Sequence, residues 1–390
     1  MKIKEIRHLS VPMTGNIANA VVNFSEHTIS LVAVFTDQLR NGQAIYGLAF
    51  DSIGRFSQGG IIHERMIPRL LQTDPESLLN EDGSFDCSRV LRCLMRNEKP
   101  GGHGDRAAAA AALELAFWDI NAKLRNEPAY QTIARAFGCE PARTGMPVYA
   151  AGGYYYPQDG VGRLKDELKH YVDLGYSAFK MKIGGTSLTE DMARIEAALA
   201  VAGNGSNLAV DANGRFNLQE ATAYAKAISP LNLRWYEEIG DPLDFDLNRR
   251  IAEIYDGPVA TGENLFSFVD ARNLVRYGGM RRNRDIFQMD PGLSYGLTEF
   301  ARILTMLEEN GYGKPFIYPH GGHLINLHIV TALGLGGCEA YPGVFQPFGG
   351  YSTECRVADA KIHPGDSAGF GLEAKAELVP HIRKILEGYG

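Results

Sequence analysis

The sequence predicts an α/β fold: a parallel β/α barrel preceded by an α+β domain. From Val148 onward, short apolar or β-branched runs alternate with amphipathic helical stretches, and eight such runs suffice to close a barrel. Three successive runs end in a carboxylate, Asp211, Glu237 and Glu263, at even intervals of 26 residues. Residues 1 to about 140 lack this rhythm and read as strands followed by helices, the order of an α+β unit. A length of 390 residues suits a barrel plus a second unit.

Taken in order, Lys2–Met13, Thr28–Asp37 and Ala44–Asp51 read as three strands, with loops at Thr14–Ser25 and Gly54–Gly60. Helical patterns follow at Ile61–Gln72, Cys87–Asn97 and Asp105–Phe137, the last interrupted near Glu127-Pro128. The barrel strands are expected at Val148–Tyr154, Ala178–Ile183, Leu208–Asn213, Arg234–Glu238, Val259–Asn264, Ile286–Asp290, Phe316–His320 and Cys338–Tyr341. Helices such as Glu190–Val201 and Leu218–Ile228 fill the gaps, and a short helix near Glu377–Leu386 would hold Pro380 in its first turn.

Composition narrows the function classes. With 45% hydrophobic and 22% charged residues the chain is ordinary for a globular protein. A net charge of −7 gives nucleic acid no electrostatic footprint to recognise. Lys2–Ser10 alternates charged and apolar residues without an apolar leader, and no stretch is long enough to span a bilayer, so a cytoplasmic protein is expected. The five cysteines (Cys87, Cys93, Cys139, Cys338, Cys355) are scattered without a CxxC pair and read as reduced bystanders.

Strand ends carry the chemistry. Alternation puts Lys180 and Lys182 of AFKMKI on one face, and likewise Asp211 and Asn213. Two ammonium groups so close push one another toward the neutral amine, while nearby carboxylates push back. Three carboxylates converging on one barrel mouth need a compensating cation, and oxygen-only ligation suits Mg²⁺. Chemistry alone leaves Glu237 and Glu238 interchangeable as its ligand. Asp290 ends the strand before that of His320, where a carboxylate could orient the imidazole and raise its pKa. Any one of these residues alone reads as a polar residue at a strand rim; together they point to an enzyme.

These positions resemble the enolase superfamily, in its mandelate racemase-like branch. ALELAFWDINAKLRNEPAYQTIARAFG is similar to the family's last capping-domain helix, and KMK, VDANG, WYEE, TGEN, Asp290 and His320 fall in family order. The resemblance implies a modified TIM-type (β/α)7β barrel over 141–347, and an α+β capping domain over 1–140 completed by 348–390. It implies Mg²⁺ on Asp211, Glu237 and Glu263, which settles the choice against Glu238. Lys182 is then the base with Lys180 as its neighbour, and His320 with Asp290 the acid dyad. Glu339 would donate a hydrogen bond to the substrate carboxylate, and Asn213 would be a polar partner beside the metal. Asn19, Ile53 and Lys99 would meet the substrate from the capping domain. The implied activity is Mg²⁺-dependent dehydration of a short acid sugar or hydroxy diacid of the D-tartrate type, giving a 2-keto acid through an enediolate. The alternative is racemisation or epimerisation of a 2-hydroxy acid by the same Lys/His pair; a barrel retained only for binding is the third reading. A homo-oligomer is expected.

Overall fold

The computed structural model describes residues 1–15, 17–156, 159–358 and 360–388. The chain opens with an antiparallel sheet of β1 (Ile3–Pro12), β2 (Thr28–Arg40) and β3 (Gln43–Phe50) in sequential order. A helical segment over 59–71 follows, with a π-turn at Ile62–Met66. Then come α1 (Cys87–Leu94), α2 (Asp105–Arg125) and α3 (Ala129–Ala136). The sequence suggested one interrupted helix over Asp105–Phe137. The chain breaks there because Asn126 takes a left-handed conformation (φ 56°) and Pro128 starts the next helix. The run Ala107–Ala112 is wholly buried in α2, where small side chains let that helix lie close against β2 and β3.

The barrel follows as β4 (Met146–Gly152), α4 (Gly160–Asp173), β5 (Phe179–Lys182), α5 (Leu188–Ala202), β6 (Leu208–Asp211) and α6 (Leu218–Ile228). It continues through β7 (Tyr236–Glu237), α7 (Phe245–Ile254), β8 (Val259–Thr261), α8 (Phe268–Tyr277), β9 (Ile286–Phe287), α9 (Leu297–Glu309), α10 (Leu324–Leu333) and β10 (Cys338–Ala340). Pairing from β4 to β9 is parallel and sequential, and β10 returns to β4. The run expected as a strand at Phe316–His320 is instead a 3-10 turn and a single bridge, Phe287 to Ile317. Pro315 and Pro319 explain this, since neither can donate to a ladder. The run still closes the ring: Tyr318 N–H donates to the Phe287 carbonyl (2.9 Å) and Gly336 N–H to that of Ile317 (3.1 Å). Seven helices thus separate eight strand positions, and the fold is a modified (β/α)7β barrel with an antiparallel capping sheet at its N-terminal side.

Past the barrel, β11 (Arg356–Ala358) and β12 (Lys361–His363) form a hairpin against β4. The last helix, α11 (Val379–Leu386), packs on β1 and β2, where Arg7 Nη1 donates to the carbonyls of Ile385 (3.0 Å) and Glu387 (2.7 Å). Among the described residues no helix is long and apolar enough to cross a membrane.

Candidate active site

Strand alternation builds the site. Inside the barrel, Tyr149, Ala178, Ala209, Trp235, Ala260 and Ile286 pack into one small apolar cluster. Two residues further along their strands, on the same face, stand Lys180, Asp211, Glu237 and Gln288. A further step reaches Lys182, Asn213 and Asp290. Lys182, Asp211 and Glu237 are direct partners across neighbouring strands. Glu263 departs from the alternation, being three residues past Ala260. Gly262 at φ 130° allows the turn, and a Cβ there would lie 2.6 Å from Met289 Sδ.

Oxygen atoms of Asp211, Glu237 and Glu263 gather within 4.8 Å of one another, a donor set that fits a hard divalent cation. The fit is supported by Glu263 Oε2, which is buried without a hydrogen-bond partner. Glu238 is occupied elsewhere: its Oε1 accepts from Asn264 Nδ2 at 2.7 Å. Lys180 Nζ forms ion pairs with Glu237 Oε1, with Glu339 Oε1 (2.7 Å) and with Asp211 Oδ2 (3.3 Å). Lys182 Nζ donates to the same Asp211 oxygen at 2.6 Å. Burial would lower the Lys180 pKa, but Glu237, Glu339 and Asp211 hold it well above its ordinary value. Of the two opposing influences on this pair of lysines, the carboxylates prevail at Lys180. Burial, with the charges of Asp211, Glu263 and Glu339, pushes the Glu237 carboxyl up against the pull of Lys180.

The other side of the site is built around His320. Its Nδ1 lies 3.1 Å from Asp290 Oδ2, and Asp290 is held by Gly292 N–H (2.8 Å) and Asn326 Nδ2 (3.0 Å) on its other oxygen. Burial alone would favour the neutral imidazole. The Glu263 carboxylate, the Asp290 hydrogen bond and Glu339 outweigh it and push the pKa up to about 10. His320 Nε2 faces the Tyr341 hydroxyl at 3.0 Å. Tyr341 was missed in the sequence, although it stands two residues beyond Glu339 on one strand face, which alternation could have shown.

A cavity of about 960 Å³ covers this mouth, and Asn19, Ile53, Lys182, Asn213, Glu263 and His320 all line it. Tyr154, Tyr341, Arg55 and His103 line it as well. A second cavity of about 990 Å³, beside Trp118 and Phe137, holds none of these groups. Three expectations change. Lys99 is exposed and outside the cavity lining; its loop offers Pro100, Gly101, Gly102 and His103 instead, while its carbonyl accepts from Arg106 Nη1 at 3.0 Å. Glu339 is no hydrogen-bond donor here. Burial would raise its pKa, but Lys180, His320 and Lys182 lower it, and its Oε2 accepts from Gly321 N–H at 3.2 Å. Asn19 spends its amide oxygen on its own loop, accepting from the N–H groups of Val21 (2.8 Å) and Val22 (2.7 Å).

Among known proteins, arabinonate dehydratase from Saccharolobus solfataricus is 27% identical over 337 residues, covering 85% of each chain. L-talarate/galactarate dehydratase from Salmonella typhimurium is 26% identical, covering 93% of this chain and 86% of that one. The crystal structure of a racemase from Streptomyces coelicolor A3(2) with bound magnesium superposes with a TM-score of 0.78 at 22% identity, over 98% of this chain and 99% of that one. Residues 163–378 match the family described as enolase C-terminal domain-like. That span is more than half of the chain and holds Lys180, Lys182, Asp211, Glu237, Glu263, Asp290, His320 and Glu339, and the chain belongs to this family.

Proposed function

We propose that this protein is a Mg²⁺-dependent dehydratase of a short acid sugar or hydroxy diacid. The observation that carries the reading is one cavity lined by Lys182, Glu263 and a His320 hydrogen-bonded to Asp290. Dehydratases of acid sugars among its relatives agree with it. Mg²⁺ held by Asp211, Glu237 and Glu263 would supply the charge that acidifies the α-proton of a bound carboxylate.

Lys182 takes that α-proton at Nζ, and the electron pair of the C–H bond moves onto the substrate carboxylate. Lys180, kept protonated by its three carboxylate neighbours, places a fixed positive charge beside it. His320 gives the proton on Nε2 to the β-hydroxyl, the C–O bond breaks, and water leaves. The resulting enol tautomerises to a 2-keto acid. Asp290 holds Nδ1–H so that the opposite ring nitrogen faces the cavity. Asn213 offers an unpartnered buried amide oxygen, Oδ1, next to the carboxylate cluster.

Racemisation is the second reading, favoured by the same Lys/His arrangement and by the racemase among the structural relatives. It would use His320 to return a proton to the α-carbon instead of the hydroxyl. D-tartrate is the first compound to try, because NEKPGGHG, YAAGGYYYP, ARNLVRYGGMR and YPHGGH resemble D-tartrate dehydratase. A panel of four- to six-carbon acid sugars with Mg²⁺, run in D₂O, separates the readings. Dehydration gives a carbonyl-reactive 2-keto acid. Racemisation gives α-deuterated starting acid and no keto acid.

A further inference from the structure

Relatives of this chain include an enzyme named for a monocarboxylic sugar acid, arabinonate, and one named for a dicarboxylic acid, galactarate. The side of the cavity formed by the loop after β3 bears on which kind this chain takes. There Arg55, from the loop after β3, reaches over to the barrel. Its guanidinium lies 4.6 Å from the centroid of the Phe266 ring, and Nη2 donates to Asn264 Oδ1 at 3.0 Å. Asn264 directly follows Glu263 and is itself anchored on Glu238, so Arg55 is positioned by the barrel and not by its own loop alone.

The remaining donors of Arg55 are what call for a ligand. Its Nε is buried without a hydrogen-bond partner, and among the described residues the guanidinium's one hydrogen-bond partner is the neutral amide of Asn264, with no ion pair. By contrast, the nearby Arg65 and Arg106 are both paired with Glu98, each at 3.1 Å. The acids lining this end have partners of their own: Asp270 with Ser267 Oγ (2.8 Å), Asp241 with Leu243 N–H (2.9 Å), and Glu238 with Asn264. Arg55 lines the cavity with no carboxylate to offset its charge, and an anion brought by the substrate would supply one. A planar fork of donors matches a carboxylate in two-point contact far better than it matches a terminal hydroxymethyl group.

We propose that Arg55 binds the second carboxylate of the substrate, so that the protein selects dicarboxylic sugar acids over the corresponding monoacids. This rests on the reading of the cavity as the substrate site. It also replaces Lys99, which stands outside that cavity, as the cation for the distal end.

Two matched pairs test it: D-tartrate against D-threonate, and galactarate against D-galactonate. Within each pair only the terminal carbon differs. Turnover is read as 2-keto acid, and binding is read by calorimetry in Mg²⁺. The diacid of at least one pair is expected to be preferred by wild type. Arg55→Met is expected to weaken it by about 10- to 100-fold, mainly through KM or Kd, while the monoacid changes less than about threefold. Arg55→Lys, retaining charge without the fork, should fall between. If Arg55 only clasps the loop to the barrel, Arg55→Met will weaken both acids of a pair alike, and the assignment is overturned. Preference of the wild type for monoacids overturns it as well. Arg55-dependent diacid binding without any turnover would leave the assignment standing and sink the dehydratase reading.

Discussion

At the scale of single residues, the account separates two proton transfers. Lys182 ends β5 and His320 lies in the segment after Ile317; the first pairs with Asp211, the second with Asp290. Lys182→Ala should abolish exchange of the substrate α-proton with solvent deuterium, a loss of at least about 10²- to 10⁴-fold. His320→Asn should retain exchange and lose 2-keto acid formation, since the β-hydroxyl then has no proton with which to leave as water. Exchange at the wild-type rate in Lys182→Ala, measured by NMR, removes that residue from the mechanism. These positions were legible because period-two alternation fixes which strand residues share a face. Asn326 and the backbone of Gly292, which hold Asp290, carry no such signal. They come from a helix and a loop whose approach to the strand end depends on the closed barrel.

At the scale of elements, the loop after β3 is where specificity and chemistry meet. Ser52 Oγ lies 3.0 Å from His323 Nε2, and Ser52 N–H donates to the Gly292 carbonyl at 3.2 Å. Gly321, at φ 115°, leaves room for this approach: a Cβ there would sit 2.5 Å from Ser52 Oγ and 2.7 Å from Asp290 Oδ2. The next residue, Ile53, is 1% exposed and lines the cavity. An apolar side chain facing a tartrate hydroxyl leaves that group unpaired, at a cost of about 1–3 kcal/mol, or about 5- to 150-fold in kcat/KM. Ile53→Asn is therefore expected to gain D-tartrate turnover by up to that factor. Unchanged kcat/KM in the variant would show that no substrate hydroxyl meets residue 53. The order and kind of most elements were readable from periodicity. The seventh strand was not, because apolar pattern alone does not register that Pro315 and Pro319 withdraw ladder donors.

At the scale of the whole molecule, the fold depends on keeping several histidines neutral. His328 lies in α10, where its Nδ1 accepts from Tyr130 N–H at 3.3 Å and its ring meets Phe370, joining the barrel to α3 and the C-terminal segment. Burial pulls its pKa down to about 3, and burial likewise pulls His8 and His323 down to about 4. A depressed histidine favours the folded state above its ordinary value of 6.5, and that contribution is lost as pH falls from 6.5 toward the folded value. Between pH 6.5 and 5, His328 alone should cost about 2 kcal/mol. Unfolding free energies from denaturant titrations at pH 7 and pH 5 should converge by that amount in His328→Gln, and equal pH dependence in variant and wild type would contradict it. None of this was visible in the sequence, where a histidine in an apolar helix carries no mark of what packs around it. The central claim concerns the barrel mouth: three carboxylates from three strands require a divalent cation, and with it the site dehydrates an acid sugar. The most direct test is 2-keto acid formation from the preferred acid, measured with Mg²⁺ and again in excess chelator. The account predicts turnover that disappears with chelation and returns when Mg²⁺ is restored; undiminished turnover in chelator would contradict it.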